Sequence, residues 1–417
     1  MQAVIIAAGE SSRFWPLNKK HKGLTKIMGK SLIACLVGDL KKSGIKDIII
    51  VQSPKKDVEN DLKDDFVKSV KYVVQKKPTG TGDALLCATK LIKDDHFFLI
   101  NADDTDVKKA AGLILARFKK QKKNLLILAS KTETPWLFGI VKVKGSKVLE
   151  IIEKPKQGKE LSNLKNDNLF LMPREFLNYL IKVPSHPFSL IHALNLYTKE
   201  KTAEVVVFPN QTLSLKYPWN ALPILWKKLA EVKSFRHKTA IIGKNVVISG
   251  KVFIGQRTKI GDNTVIQGPC YIGKNCEIAA SNVLRGPVNL EDNIKTGSFF
   301  EIKSSLVQAG THFHSGYLGD SFIGSDCRFG GGFMSANRRI DRNHIFSNVK
   351  GSKVNSGLTH LGACIGDKTM IGVGVKIMPG VFIGSNCVVG PATIVFQNIN
   401  DNTIFYQEFK NILKKKK

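Results

Sequence analysis

The stretch Ile260-Gly261-Asp262-Asn263-Thr264-Val265-Ile266-Gln267-Gly268-Pro269-Cys270-Tyr271-Ile272-Gly273-Lys274-Asn275-Cys276-Glu277-Ile278 decides the fold of the second half, because an isoleucine returns at every sixth place. Working outward, the phase runs back through Ile254, Ile248 and Ile242 and forward through Leu284 and Leu290. Nine consecutive aliphatic residues at this spacing are not chance, and a hexapeptide period predicts a parallel β-helix whose coils stack on one another. The phase then breaks and resumes as Ile365, Ile371, Ile377, Ile383 and Val389, with Ile323-Gly324 and Phe329-Gly330 as a phased pair between. Gly243, Gly255, Gly261, Gly273 and Gly384 follow phased residues, where a tight backbone turn is expected. Cys270, Cys276, Cys327 and Cys387 each stand four places after one, where a small buried side chain fits, and read as packing residues. After Val395 the hexads stop, and residues 407–417 read as a short helix or a frayed tail ending in four lysines.

A solenoid is a scaffold, so chemistry is expected where its period fails. One break, residues 295–320, holds Glu301-Ile302-Lys303 and His312-Phe313-His314-Ser315-Gly316-Tyr317-Leu318-Gly319-Asp320; a second, residues 334–363, holds Asn337-Arg338-Arg339. A histidine, with an ordinary pKa near ~6.5, suits removal of an ammonium proton before attack on a thioester. Equally, His312 and His314 fit alternate positions of one strand, at the surface or in the core.

The first half alternates strand and helix. Ala3-Val4-Ile5-Ile6-Ala7 runs into Ala8-Gly9-Glu10-Ser11-Ser12-Arg13, followed by a helical pattern on Leu32, Ile33, Leu36 and Leu40 that ends at Gly44. A second strand is Ile48-Ile49-Ile50-Val51, and a buried strand Phe97-Phe98-Leu99-Ile100 closes on Asn101-Ala102-Asp103-Asp104 after a helix over 84–92. Such alternation predicts a parallel sheet with ligands at the carboxyl ends of its strands, where Gly9, Arg13 and Asp103 fall. Nucleotidyl transfer needs that arrangement: small residues that let backbone N–H groups reach phosphate, cations (Arg13, Lys22) for the departing pyrophosphate, and a carboxylate (Asp103) for Mg²⁺. A helical stripe of Leu222, Ile224, Leu225, Leu229 and Val232 joins the halves and reads as core packing.

Composition bounds these readings. The chain has 417 residues, is 43% hydrophobic and 24% charged, and carries 64 Lys+Arg against 34 Asp+Glu, for a net charge of +30. That hydrophobic content excludes a disordered protein, and the length predicts two or three domains. The lysines are spread along the chain instead of forming one basic stripe with interleaved aromatics, which speaks against nucleic acid as partner. No apolar run is long enough for a membrane span and the first residues have no basic leader, so a cytoplasmic protein is expected. Seven cysteines without a Cys-x-x-Cys pair argue against a disulfide framework and a thiolate zinc site.

Ala7-Ala8-Gly9-Glu10-Ser11-Ser12-Arg13-Phe14-Trp15-Pro16-Leu17, with Lys22 ahead of Gly29-Lys30, resembles the signature of sugar-phosphate nucleotidyltransferases. Gln75 before Pro78-Thr79-Gly80-Thr81-Gly82, then Asp103, Gly139-Ile140-Val141, Glu153-Lys154-Pro155 and Asn166, keep the order of that family. His314, Tyr317, Gly319 and Asp320, with Glu301, Lys303 and Asn337, resemble the acetyltransferase half of the bifunctional N-acetylglucosamine-1-phosphate uridylyltransferase family, particularly its archaeal-type members. The resemblance implies a Rossmann-like α/β nucleotidyltransferase domain over 1–230, a left-handed β-helix of hexapeptide repeats over 231–400 and a basic tail over 401–417. It implies that Ala7, Ala8, Gly9, Gln75, Gly80 and Thr81 bind the nucleotide, that Arg13 and Lys22 act on the triphosphate, and that Asp103 binds the metal. Gly139, Glu153 and Asn166 would hold the sugar phosphate; His314 would be the general base, with Lys303, Tyr317 and Asn337 around the second sugar phosphate. Where many relatives place a second metal-binding Asp or Asn this chain has Ser214-Leu215-Lys216-Tyr217-Pro218-Trp219-Asn220, so either Asn220 supplies the oxygen or the metal keeps more water.

The implied substrates are UTP or dTTP, a sugar 1-phosphate and acetyl-CoA, with Mg²⁺ as cofactor and a homotrimer as the assembly. Three functions follow. The first is synthesis of UDP-N-acetylglucosamine by acetyl transfer to glucosamine 1-phosphate and then uridylyl transfer. The second is nucleotidyl transfer to glucose 1-phosphate with the β-helix as an oligomerisation scaffold, and the third a non-catalytic regulatory subunit of the same architecture.

Overall fold

A computed structural model describes residues 1–66, 69–120 and 125–416. They divide into two compact units, one of Met1–Ser11, Lys20–Thr25 and Ser31–Ser214, the other of Ser12–Lys19, Lys26–Lys30 and Leu215–Lys417.

In the first unit the described residues form a nine-stranded sheet in the order Val70–Val74, Asp47–Gln52, Gln2–Ala7, His96–Asn101, Leu164–Pro173, Leu125–Lys131, Ala203–Phe208, Lys147–Glu153, Gly139–Lys144. The first four strands are parallel, as alternation with helices predicts. Leu164–Pro173 departs from that pattern, running antiparallel to both neighbours, and turns the sheet into a mixed one. Strands Gln2–Ala7 and His96–Asn101 are buried along nearly their whole length, with Ile5 and Ile100 fully covered, because helices lie on both faces. The helix Leu32–Lys42 starts where the Ser31 hydroxyl accepts the Ala34 N–H at 3.3 Å and places Leu32, Ile33, Leu36, Val37 and Leu40 in the core. At the shared carboxyl edge of the parallel strands, Ile6 pairs with Asn101 and Ala7 with Gln52, and the Ala102 N–H continues the ladder onto the Ile6 carbonyl.

The second unit is a parallel β-helix of three sheets, with eight, nine and eight described strands. Columns of phased residues stack in register: Ile242 on Ile260 on Ile278, Ile248 on Ile266 on Leu284 on Ile302, and Ile254 on Ile272 on Leu290. Ile266, Ile272, Leu284 and Leu290 are fully buried, each contributing about 1.5–3 kcal/mol of hydrophobic stabilisation. Ile248 stays 43% exposed, because it belongs to the first coil and has a neighbour on one side only.

The glycines after the phased residues answer a different need from a turn. A Cβ on Gly255 would lie 2.4 Å from the Gly273 carbonyl oxygen and one on Gly261 2.5 Å from the Ala280 nitrogen, so the next coil leaves no space for a side chain. Left-handed backbone falls instead at other positions, among them Asn245, Asn263, Asn275, Asn293 and Asn386, which tolerate it, and also Arg257, Ser281 and Lys368.

Residues 295–320 are not a break in the helix. Thr296 pairs with Phe313, Ile302 with Leu318 and Val307 with Ile323, so the coil is kept and only its length shrinks, from 18 residues to 17 or 16. The real excursion lies between the strands Phe333–Ser335 and Cys364–Ile365 and contains the antiparallel hairpin Phe346–Val349/Ser352–Asn355. Beyond Val395 the ladder continues, with Ile404–Phe405 paired to Val388–Val389, and residues 407–416 form no helix. Helix Ala221–Ala230 supplies the apolar stripe, burying Leu222, Ile224, Leu225 and Leu229.

Cys270, Cys276, Cys327 and Cys387 are buried within the β-helix core and Cys364 is buried outside it, and burial pushes the first three thiols up to about 12. A thiol needs its thiolate to react. Of the seven cysteines, native protein treated with a maleimide should therefore be labelled only at the half-buried Cys35 and the exposed Cys87, and at all seven in denaturant. Native labelling of Cys270 or Cys276 would contradict the packing role.

No helix among the described residues is long and apolar enough to cross a membrane.

Candidate active sites

The first site is built at the carboxyl edge of the parallel strands. Ala7 and Ala8 are buried, while Gly9 projects beyond them with nothing within 4 Å of where its Cβ would be. Gln75 follows Val70–Val74, which the two strands Asp47–Gln52 and Gln2–Ala7 separate from His96–Asn101. Its amide is 6% exposed and donates to the Gly80 carbonyl at 3.3 Å, tying it to the loop before the helix Thr81–Ala88. Gly80 needs to be glycine, with φ of 150° and the Pro187 and His186 backbone 3.0 Å from a would-be Cβ.

Lys22 and Asp103 meet at this edge, with Nζ 2.8 Å from Oδ2 and Asp103 only 4% exposed. The lysine is aimed by its turn. His21 accepts the Gly23 N–H on Nδ1 at 3.1 Å, and its own backbone N–H donates to Asp57 at 2.7 Å. Burial lowers His21 to about 4, against the opposing pull of Asp103, so the ring is neutral and serves as an acceptor. Gly23 presses on the end of the neighbouring strand, where a Cβ would lie 2.9 Å from the Ala102 carbonyl oxygen. Beside Asp103, burial and then the Asp103 charge itself push Asp104 well above the usual carboxylate range, so the two carboxyls are unequal.

Gly139, Glu153 and Asn166 also come together. Gly139 pairs with Glu153 across adjacent antiparallel strands, and a Cβ on Gly139 would lie 2.7 Å from Glu153 Oε2 and 3.9 Å from the Asn166 Cβ. A bulge between Asn166 and Phe170 turns Asn166 inward, and its Oδ1 accepts the Asn168 N–H at 3.0 Å. Gly139→Ala must displace the Glu153 carboxylate. We expect a tenfold or larger rise in KM for the sugar phosphate, with KM for the nucleoside triphosphate little changed; equal KM values for sugar phosphate in both proteins would remove these residues from its site.

Arg13 and Asn220 belong to the second unit. Arg13 is exposed on the turn Ser12–Phe14, whose neighbours are anchored on the β-helix: Phe14 lies edge-on to Phe322 at 6.1 Å, and the Trp15 indole donates to Asp401 at 3.2 Å. Asn220 Oδ1 accepts the N–H groups of Lys216 and Tyr217 at 3.1 and 2.8 Å, so that oxygen is engaged in starting the turn Pro218–Asn220.

The second site lies on successive coils of one β-helix face. Strands Phe300–Lys303 and Gly316–Gly319 pair so that Glu301 stands beside Tyr317 and Lys303 beside Gly319. Asp320 Oδ2 is the hub, 3.4 Å from Lys303 Nζ and accepting from the Asn337 amide, which also lies 3.2 Å from the Tyr317 hydroxyl. Gly319 makes room for both, since a Cβ there would lie 2.4 Å from the Tyr317 oxygen. Burial, then the Asp320 charge, pushes the Tyr317 phenol up and keeps its proton on. His314 is exposed at the corner after the strand His312–Phe313, and its ring makes no hydrogen bond to the described residues. His312 differs: it is half-buried, in register with Lys295 and Arg328, and burial and then Arg328 and Lys295 lower its pKa.

The described residues contain no group of three His, Cys, Asp or Glu arranged to hold a metal ion. The nucleotidyl transferase family model matches residues 2–241, and the bacterial transferase hexapeptide model, six repeats, matches residues 251–286. The "Bifunctional protein GlmU" of Methanococcus maripaludis (strain C7) is 34% identical over 423 residues, covering all of both chains. The "Bifunctional sugar-1-phosphate nucleotidylyltransferase/acetyltransferase" of Sulfurisphaera tokodaii is 31% identical over 97% of this chain and all of its own. The chain belongs to this family of bifunctional nucleotidylyltransferase/acetyltransferases. It is accordingly a transferase, and its solenoid is a left-handed β-helix of the hexapeptide class.

For a family member the sequence understates one residue. Asp320 was visible only as part of a motif; its role as the acceptor that gathers Lys303 and Asn337 needed the coils to be stacked, since those partners lie 17 positions away on either side. The Gly319-Asp320 pair was the available signal, because Asp320 carries left-handed backbone at φ 45° and sits where the strand ends.

Proposed function

We propose that this enzyme makes UDP-N-acetylglucosamine: acetyl-CoA and glucosamine 1-phosphate give N-acetylglucosamine 1-phosphate, which with UTP gives the UDP-sugar and pyrophosphate. The observation that carries the reading is the gathering of Lys303, Tyr317 and Asn337 around Asp320, on the coils that also expose His314, an investment that a purely structural solenoid does not need. In acetyl transfer His314 takes the ammonium proton, the freed amine attacks the thioester carbon, and the C–S bond breaks to release CoA. Lys303 neutralises the sugar phosphate, and the protonated Tyr317 and Asn337 orient it.

In uridylyl transfer Gln75, Gly80 and Thr81, with Ala7, Ala8 and Gly9, seat the nucleotide; Gly139, Glu153 and Asn166 seat the acetylated sugar; and its phosphate oxygen attacks the α-phosphorus. Lys22 stabilises the charge that grows on the departing pyrophosphate, a role that the family resemblance gives to Arg13 as well. The donor set fits Mg²⁺, which binds through one or two carboxylates and fills its remaining positions with phosphate oxygens and water. Asp103 would hold it, and when bound it would neutralise the α-phosphate. Asn220, with its oxygen already accepting two N–H groups, fits a water-rich site better than a second protein ligand. The family resemblance also implies a homotrimer, with acyl-CoA between neighbouring β-helices.

The test is thiol release. Wild-type protein given glucosamine 1-phosphate and acetyl-CoA should liberate CoA, and with UTP and Mg²⁺ should then release pyrophosphate. Pyrophosphate release from glucose 1-phosphate without any CoA release would leave nucleotidyl transfer alone with a scaffolding β-helix.

A further inference from the structure

The second unit holds a cavity of about 610 Å³ that neither proposed reaction uses, between Ser12–Lys19, the Phe346–Val349/Ser352–Asn355 hairpin and the last coils of the β-helix. Its volume lies within the range of small-ligand clefts, roughly 300–1,000 Å³. The lining has one chemical character. Asn18, Asn348, Gln397 and Asn400 all face it, and their side-chain amides make no hydrogen bond to the described residues. The indole of Trp15 is held in place by its bond to Asp401 and lies 6.1 Å from Phe382, giving an aromatic wall. Lys350 supplies one cation, and no carboxylate lines the space.

A carboxamide both donates and accepts, as a sugar hydroxyl and an acetamide do, so four unengaged amides around one space match a polyhydroxylated ring. The aromatic wall suits the apolar face of such a ring, and a lone ammonium without an opposing carboxylate suits one phosphate. We infer that this cavity is a binding site for an acetamido-sugar phosphate, separate from both catalytic sites. The inference rests on the proposed function for the identity of that sugar. Its walls come from the loop that carries Arg13 and from the excursion that begins after Asn337, so a ligand here would touch segments belonging to each activity.

The test is an equilibrium titration with N-acetylglucosamine 1-phosphate, without acetyl-CoA or nucleotide, on wild-type protein and on the Asn348→Ala/Lys350→Ala variant. Both positions are exposed on the hairpin, and neither is a residue given a catalytic role. The expected result is one fewer bound sugar phosphate per chain in the variant, loss of the tryptophan fluorescence change that occupancy produces, and kcat/KM of both reactions within twofold of wild type. Unchanged stoichiometry and affinity would overturn the inference, and so would a parallel loss of turnover, which would make the cavity part of a catalytic site. Absence of turnover in wild type would count against the proposed function alone, because the binding measurement does not depend on it.

Discussion

Asp103→Asn should lower pyrophosphate release from UTP by about a hundred- to a thousand-fold, the scale on which loss of a single preorganised charge acts in a transition state, and leave CoA release untouched. The substitution keeps the shape of a side chain that is 4% exposed while removing its charge. Two things are lost together: the anionic ligand for the divalent cation and the partner that holds Lys22 Nζ at 2.8 Å. Lys22→Met separates them. If Asp103 acts chiefly on the cation, Asp103→Asn should raise the Mg²⁺ concentration needed for half-maximal rate, whereas Lys22→Met should lower kcat with that requirement little changed. Pyrophosphate release at the wild-type rate in Asp103→Asn would remove Asp103 from the metal site. Acetyl transfer is spared because Lys303, Tyr317, Asp320 and Asn337 belong to the other compact unit.

His314→Ala should produce the reverse pattern, with CoA release down by about 10²–10⁴-fold and pyrophosphate release from N-acetylglucosamine 1-phosphate and UTP unchanged. The residue is a clean target. Its ring is exposed and makes no hydrogen bond to the described residues, so truncation strands no buried donor and leaves the core of Phe313 and Phe329 intact. His312→Ala is the control: two residues earlier, on the strand itself and half-buried in register with Lys295 and Arg328, it should leave CoA release within a few-fold of wild type. Equal activity of His314→Ala and wild type would show that the proton goes elsewhere, and a larger loss in His312→Ala would reassign the base to that residue.

The difference between these two histidines shows what could be read early and what could not. Alternation along a strand places His312 and His314 on the same side, and the sequence gives no reason to choose between surface, core and site. The strand ends after Phe313, so His314 already lies in the corner, while His312 is kept in the ladder by its neighbours on adjacent coils. The coils that carry these residues are also shorter than those before them. They are 16 or 17 residues long, where those before them have 18, and the shortening brings Glu301 beside Tyr317 without breaking the phased core.

In the first unit the carboxyl-edge positions of Gly9 and Asp103 were legible because each follows an apolar run, and parallel strands bring their ends to one edge, whereas Gln75 was named only by the family resemblance. The contact of Gly139 with Glu153 and Asn166 was not, since it depends on antiparallel pairings and on the bulge within Leu164–Pro173. Asn220 was a candidate metal ligand by position; the fold gives its oxygen two backbone donors, a commitment that residue identity does not reveal.

What the sequence by itself determined is the class of each half. A residue that must be buried once per face repeats with the face, so a period of six specifies the β-helix locally, and apolar runs ended by small or acidic residues specify the parallel sheet and its edge. What only the tertiary structure decided is which polar groups share a site. Lys303, Tyr317, Asp320 and Asn337 come from three successive coils, and they meet because the length of each coil, 16 or 17 residues there, sets which side chains stand beside one another. That registration is a property of stacked backbone, hydrogen-bonded coil to coil, and no single repeat contains it.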